Sequence, residues 1–281
     1  MTVDVVTLKN PRGGSAVEVG AGGVTLMGVI NRSPESANKD VYADSADEAL
    51  RLAERFATYG VNVIDVGGQS TNYENPRIAV EEELDRVVPT VGSLVEAGFV
   101  VSVDTFRAKV AAEAIAVGAA LINDTGGLTD TEMVATLVST GVPAVLMHLE
   151  ADQPLDVGAY DDVIGKSVRI AAQLGARMTD LHEVGVSRLI VDAGTGISYR
   201  SDYDRYSRSQ FEIAEHLSPL SDLGAPVMYT VPRKADRHRN VAVAALAMAS
   251  GASMLRIHDV AMISDVAWLM RRLEDKPGGV A

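Results

Sequence analysis

The chain has no cysteine. Disulfides, thiolate metal sites and cysteine nucleophiles are therefore excluded, and any chemistry falls to carboxylates, amides, hydroxyls and a few cations. Its apolar runs are too short to span a bilayer. Residues 1–20 hold Asp4, Lys9, Arg12 and Glu18 and no uninterrupted apolar core, so no secretory signal is expected and a cytoplasmic location is the default. Positive charge is in the minority, with 25 Lys and Arg against 38 Asp and Glu and a formal net charge of −13. A nucleic-acid surface needs clustered cations, so neither nucleic acid nor a membrane is an expected partner. An anionic small ligand would need a local basic pocket, and cations near residues 233–239 and at Arg256 with His258 offer two. No Gly-x-Gly-x-x-Gly opens a helix after an early strand, and no His-x-His or His-Glu-x-x-His spacing occurs, so the usual signals of a dinucleotide fold and of a zinc site are missing.

What the sequence does contain is a repeated unit. An Ala/Glu/Leu-rich helical stretch ends at a glycine, four to six apolar residues follow, and a polar residue or cluster closes the run. The glycines are Gly23, Gly60, Gly98, Gly118, Gly141, Gly185, Gly224 and Gly251. Glycine just past a helix is the expected left-handed stop before the next strand. The apolar runs begin at Val24, Val61, Phe99, Ala119, Pro143, Arg188, Ala225 and Ser253. Runs such as Val61-Asn-Val-Ile-Asp-Val66 read as strands buried on both faces, which is the mark of a parallel sheet. Eight such units over 281 residues predict an α/β fold, a single (β/α)8 TIM barrel, in preference to an open doubly wound sheet. Residues 1–23 form a Gly-rich lead-in with room for a short hairpin, 24–272 the barrel, and 273–281 a tail.

In such a barrel the active site lies at the C-terminal strand ends. Those ends carry Asn31, Asp65, Asp104, Asn123 with Asp124, His148, Asp192, Arg233 with Lys234, and Arg256 with His258 and Asp259. Any one Asp or Asn after a strand is commonly just the cap of the next helix, and Asp65, Asp124 and Asp259 carry that reading most strongly. In Val61–Thr71 the strand runs into Gly67 and Gly68, which would let backbone approach a ligand, and then Gln69, Ser70 and Thr71, whose amide and hydroxyls suit phosphate oxygens. Lys234 is also a Schiff-base candidate, although Arg233 and Arg237 beside it look more like an anion clamp.

Read together, Met27-Gly-Val-Ile-Asn31, Ile64-Asp-Val-Gly-Gly-Gln-Ser-Thr71, Ser102-Val-Asp-Thr105, Ile122-Asn-Asp124, Met147-His148, Val191-Asp-Ala-Gly194, Arg233-Lys234 and Arg256-Ile-His-Asp-Val260 resemble the dihydropteroate synthases of folate synthesis, within the pterin-binding barrel group. The resemblance implies that p-aminobenzoate attacks the methylene of 6-hydroxymethyl-7,8-dihydropterin diphosphate and that diphosphate leaves with Mg2+. It implies that Asp104, Asn123 and Asp192 hold the pterin, with Asp104 stabilising the developing cation. Met147 would line the pocket, and Lys234 would cover the pterin face as a second catalytic group. Ser70, Thr71, Arg256 and His258 would meet diphosphate, and Asn31 the magnesium. The family commonly forms homodimers through its later helices, for which Val241–Met254 is either the contact or only the inner face of a helix.

Four stretches depart from the family pattern. The first loop reads Arg32-Ser-Pro-Glu-Ser-Ala-Asn-Lys-Asp-Val41, with Ala37 where an aromatic residue is expected and Lys39 where an Asp is expected. Ser70-Thr71 continues as Asn72-Tyr73-Glu74 rather than Arg-Pro-Gly. Asp192 is followed by Ala193-Gly-Thr-Gly-Ile-Ser-Tyr199, with Arg200 as a substitute cation, and Ala235 follows Arg233-Lys234 where a serine is expected. These changes fall on the second-substrate side and imply a divergent paralogue with weakened or altered use of p-aminobenzoate. The alternatives are a paralogue that binds a pterin or phosphorylated ligand without turnover, and a methyltetrahydrofolate methyltransferase with a corrinoid partner.

Overall fold

The computed structural model describes residues 3–36, 39–158, 166–197, 199–200, 203–232 and 237–274. Arg233, Lys234, Ala235 and Ala37 lie outside the described residues. The strands are β1 (Val6–Leu8), β2 (Val17–Val19), β3 (Thr25–Asn31), β4 (Val63–Gly67), β5 (Val101–Asp104), β6 (Leu121–Asp124), β7 (Ala144–Met147), β8 (Leu189–Asp192), β9 (Val227–Thr230) and β10 (Met254–Ile257). The helices are α1 (Ala46–Thr58), α2 (Val80–Glu96), α3 (Ala108–Ala116), α4 (Thr131–Thr140), α5 (Lys166–Glu183), α6 (Tyr203–Glu215), α7 (Ser218–Ser221), α8 (Arg237–Ala249) and α9 (Val260–Glu274). Strands β3 to β10 close into a parallel barrel in which β10 pairs with both β9 and β3. The predicted (β/α)8 barrel is the observed architecture. No helix among the described residues is long and apolar enough to cross a membrane.

Side chains alternate along each strand, and that alternation separates two cores. Ile64, Val66, Val101, Val103, Ile122, Leu146, Leu189, Val191, Leu255 and Ile257 face outward and pack with the surrounding helices. Met27, Val63, Leu121, Val145, Ile190, Met228 and Met254 face inward and fill the barrel's lower half. The antiparallel β1–β2 hairpin adds Val6, Leu8 and Val19 to that inner cluster, so it stops the barrel at its N-terminal end. With the bottom closed by apolar side chains, the next inward residue on each strand faces the open, C-terminal end.

Each of the eight sequence-identified glycines has a positive φ, between +66° and +111°, as a left-handed turn requires. Gly67 and Gly68 do not. A Cβ at Gly68 would lie 2.7 Å from Val87 Cγ2 and 2.9 Å from Glu83 Cγ, and one at Gly67 would lie 3.6 Å from Asp104 Cβ. The absence of a side chain at Gly68 is thus what lets α2 pack closely, whereas a Cβ at Gly67 would make only an ordinary contact with Asp104.

Candidate functional site

The first inward layer above the apolar plug is polar. It holds Asp65 on β4, Ser102 on β5, Asn123 on β6, Asp192 on β8, Thr230 on β9 and Arg256 on β10, with Met147 on β7. The register sets Asp65 beside Ser102, Asp104 beside Asn123, and Met147 beside Asp192. Strand period and register therefore bring Asp104, Asn123, Asp192, Met147 and Arg256, residues far apart in the chain, to one mouth.

Arg256 is the centre of this layer. Its Nε donates to Asp65 Oδ2 at 2.7 Å and its Nη2 to Asp104 Oδ2 at 2.6 Å. Asn123 Nδ2 donates to the same Asp65 oxygen at 3.2 Å. Burial would lower the Arg256 pKa, but Asp65 and Asp104, aided by Asp192, outweigh it and hold the guanidinium more firmly charged than usual. Asp65 is fully buried, and its Oδ1 and the neighbouring Ser102 Oγ have no hydrogen-bond partner among the described residues. Three carboxylates around one guanidinium leave the floor negative, which suits a donor-rich heterocycle.

Asp192 is held from two sides. Gly194 N donates to Oδ1 at 2.7 Å and Thr230 Oγ1 to Oδ2 at 3.1 Å. Burial pushes its pKa up to about 6, because those hydrogen bonds and Arg256 do not fully offset desolvation. The following loop is fixed by α6, where Tyr206 Oη and Gln210 Nε2 donate to Thr195 O at 2.9 and 2.7 Å. Gly194 has φ +76°, and a Cβ there would overlap the His148 carbonyl. Gly194→Ala is expected to lower stability by about 1–3 kcal/mol from the backbone conformation alone, and more once the overlap is relieved. Thermal unfolding checks this.

Asp124, by contrast, shapes its own loop. Gly126 N and Leu128 N donate to its two oxygens at 2.6 and 3.1 Å, Leu128 takes a positive φ of 54°, and burial pushes the Asp124 pKa up to about 7. Asp259 likewise accepts from Met262 N at 3.4 Å at the start of α9. The helix-cap reading therefore holds only for Asp259, which also meets Arg237 Nε at 3.4 Å, whereas α4 is capped by Asp130, whose Oδ1 accepts from Glu132 N at 2.8 Å, and Asp124 ties down the loop before it. Ser70 is buried, and its Oγ accepts from Asn75 Nδ2 at 2.7 Å and Asn72 N at 3.3 Å, while Thr71 is half-buried beside it. Gln69 ties down the same loop, donating to Pro76 O at 3.2 Å and accepting from Ile78 N at 2.9 Å.

His258 is half-buried and borders a cavity of about 360 Å3 shared with Asp40, Arg55, Arg237 and Asp259. Asn31 ends β3 and spends its Nδ2 on Ser36 Oγ at 3.1 Å, leaving Oδ1 as its other polar side-chain atom. The Arg32–Ser36 turn is anchored to α2 by Arg86, whose Nη1 and Nη2 donate to Glu35 at 3.2 and 3.1 Å and whose Nη1 also reaches Gly68 O at 2.9 Å. Burial would raise the Glu35 pKa, but the hydrogen bonds from Arg86 and Ser33 outweigh it and bring it down to about 2.

Thr230, Tyr206, Gln210 and Arg86 support the site without any mark in the sequence motifs. Alternation from Met228 would have pointed Thr230 inward. Arg86 and Gln210 lie on helices, where no local signal marks a contact with a distant loop.

The structure is a (β/α)8 barrel with a polar, carboxylate-rich floor at its C-terminal mouth, and comparisons with known proteins place that barrel in the pterin-binding class. A family model described as "Pterin binding enzyme" matches residues 27–258. A dihydropteroate synthase of Neisseria meningitidis is 31% identical, with 88% of this chain and 92% of that protein covered. A probable bifunctional folylpolyglutamate synthase/dihydropteroate synthase of Halobacterium salinarum is 34% identical over 84% of this chain, which spans only 30% of that longer protein. The structure of Xanthomonas albilineans dihydropteroate synthase with 4-aminobenzoic acid superposes with a TM-score of 0.82 at 27% identity, covering 98% of this chain and all of that one. The chain belongs to the dihydropteroate synthase family.

Proposed function

We propose that the protein joins 6-hydroxymethyl-7,8-dihydropterin diphosphate to 4-aminobenzoate. The amine nitrogen attacks the methylene carbon, the carbon–oxygen bond to diphosphate breaks, diphosphate leaves with the electron pair, and the amine gives up a proton. The observation that carries this reading is the Asp65–Arg256–Asp104 bridge, with Asn123 on the shared Asp65 oxygen, on a net negative floor inside a family barrel. Asp192 and Asn123 would hold the donor-rich edge of the pterin, and Met147 its face. Asp104 would stabilise positive charge developing at the methylene, a preorganised electrostatic role that needs little movement. Lys234 is assigned to the pterin face, and Ser70, Thr71, Arg256 and His258 to the diphosphate.

Among the described residues no group of three or more His, Asp or Glu side chains could hold a metal. Mg2+ usually binds through one or two protein oxygens plus substrate phosphates. Asn31 would supply a protein oxygen, and the ion would neutralise charge on the departing diphosphate. We also assign the protein as a homodimer: Val243, Ala244, Ala247 and Met248 of the Val241–Met254 stretch are buried as the inner face of α8, so the support comes instead from Trp268 and Leu269 on α9, which are 58% and 55% exposed. Sedimentation at micromolar concentration tests that assignment.

Purified protein mixed with both substrates and magnesium is expected to form dihydropteroate in proportion to enzyme. No product above background would overturn the reading. A second reading, pterin binding without turnover, is favoured by one contact: the Ser70 hydroxyl is already engaged by its own loop. It predicts calorimetric binding of the pterin diphosphate by a chain that makes no product.

A further inference from the structure

The family departures at Asn72-Tyr73 and Tyr199-Arg200 are distant in the chain, and the fold joins them on one side of the mouth. The Arg200 guanidinium carbon lies 4.9 Å from the centroid of the Tyr73 ring. Tyr73 packs against a cluster that includes Met147, Ile197 and Tyr199. Since Met147 is the register partner of Asp192, the stack stands just beyond the sector of the floor assigned to the pterin. Three loops hold it in place. Arg200 N donates to Gly158 O at 3.0 Å, Glu150 N to Tyr199 Oη at 3.3 Å, and Arg77 Nη1 to Gln153 Oε1 at 2.7 Å.

Five other arginines around the mouth end on carboxylates, Arg77 on Asp156, Arg86 on Glu35, Arg107 on Glu83, Arg169 on Glu150, and Arg256 on Asp65 and Asp104, while Arg32 is spent on the carbonyls of Ala43 and Arg86. Arg200 is exposed, and among the described residues its guanidinium meets an aromatic ring and no carboxylate. A guanidinium lying over a ring keeps its N–H donors at its edge, in the fork that matches a carboxylate.

We propose that Arg200, backed by Tyr73, is the specificity-determining cation for the second substrate, which is an aromatic amine bearing a carboxylate. The proposal rests on the synthase reading in one respect: the amine must reach the pterin methylene. The substrate ring lies along Tyr73, which the buried Ile197 and Tyr199 support from behind, and its carboxylate accepts from Arg200. An uncharged amide of the same shape keeps the ring contact and loses the charge-assisted pair.

The test is a binding titration of 4-aminobenzoate and 4-aminobenzamide, with magnesium and diphosphate present, against the full chain and its Arg200→Gln and Tyr73→Leu variants. Wild type is expected to prefer the acid by about tenfold or more. Arg200→Gln should narrow that preference to about twofold and leave pterin diphosphate affinity unchanged, while Tyr73→Leu weakens both ligands. An unchanged preference in Arg200→Gln, or no binding of 4-aminobenzoate by wild type, overturns the proposal. Turnover is read separately. Charge-dependent binding without product removes only the synthase reading, and turnover with an unchanged acid preference removes only this one.

Discussion

Arg256→Ala is expected to abolish dihydropteroate formation and to lower stability by about 3–5 kcal/mol, the usual cost of removing one partner from a buried ion pair. The cause lies in what remains. Asp65 is fully buried, and without the guanidinium its Oδ2 would keep only the Asn123 amide. The double variant Asp65→Asn/Arg256→Gln separates the two effects, because it removes the stranded charge as well as its partner. It is expected to recover much of the stability and none of the activity. Chemical denaturation and the transfer assay, run on both variants, check this. A stable and active Arg256→Ala protein would show that the bridge organises nothing.

Asp192→Asn is expected to weaken pterin binding about 100-fold, since a buried charged acceptor is exchanged for an amide that can present a donor to a donor. The fold should survive, because the amide oxygen can still accept from Gly194 N or Thr230 Oγ1. The pH dependence is more diagnostic. The Asp192 pKa is raised to about 6, so its contribution to stability is fully present below the ordinary carboxylate range of about 4. It is lost as pH rises through about 6, where the folded protein must ionise a buried group. Binding runs the opposite way: donors on the pterin favour the ionised form, so affinity should fall as pH drops below 6 in wild type and stay flat in Asp192→Asn. Calorimetry between pH 5 and pH 8 measures both, and equal pH dependence in the two proteins would remove Asp192 from the pterin site.

Much of this was legible before any coordinates. The glycine–apolar–polar unit marks all eight barrel strands, because a left-handed stop and a doubly buried strand each impose a local residue choice. The strand ends also named the floor, since a closed parallel barrel gathers them at one mouth. What sequence could not resolve was which carboxylate is structural. Asp124 and Asp192 both follow apolar runs and both are fully buried, yet Asp124 accepts from Gly126 N and Leu128 N in its own loop, whereas Asp192 also accepts from Thr230 on β9. Asp65 carries the local pattern of a helix cap, and its bond to Arg256 spans 191 residues, a pairing no local pattern encodes. The Tyr73–Arg200 stack was hidden for the same reason. Each residue stood out only as a departure from the family, and the fold supplies the reason to consider them together.

The claim on which the rest depends is that Asp104, Asn123 and Asp192 converge on a pterin. A crystal of the protein soaked with 6-hydroxymethyl-7,8-dihydropterin diphosphate tests it most directly. The predicted density places the aminopyrimidine edge against Asp192 and Asn123, with the methylene toward Asp104. A pterin bound elsewhere, or a mouth without pterin density at saturating ligand, would contradict it.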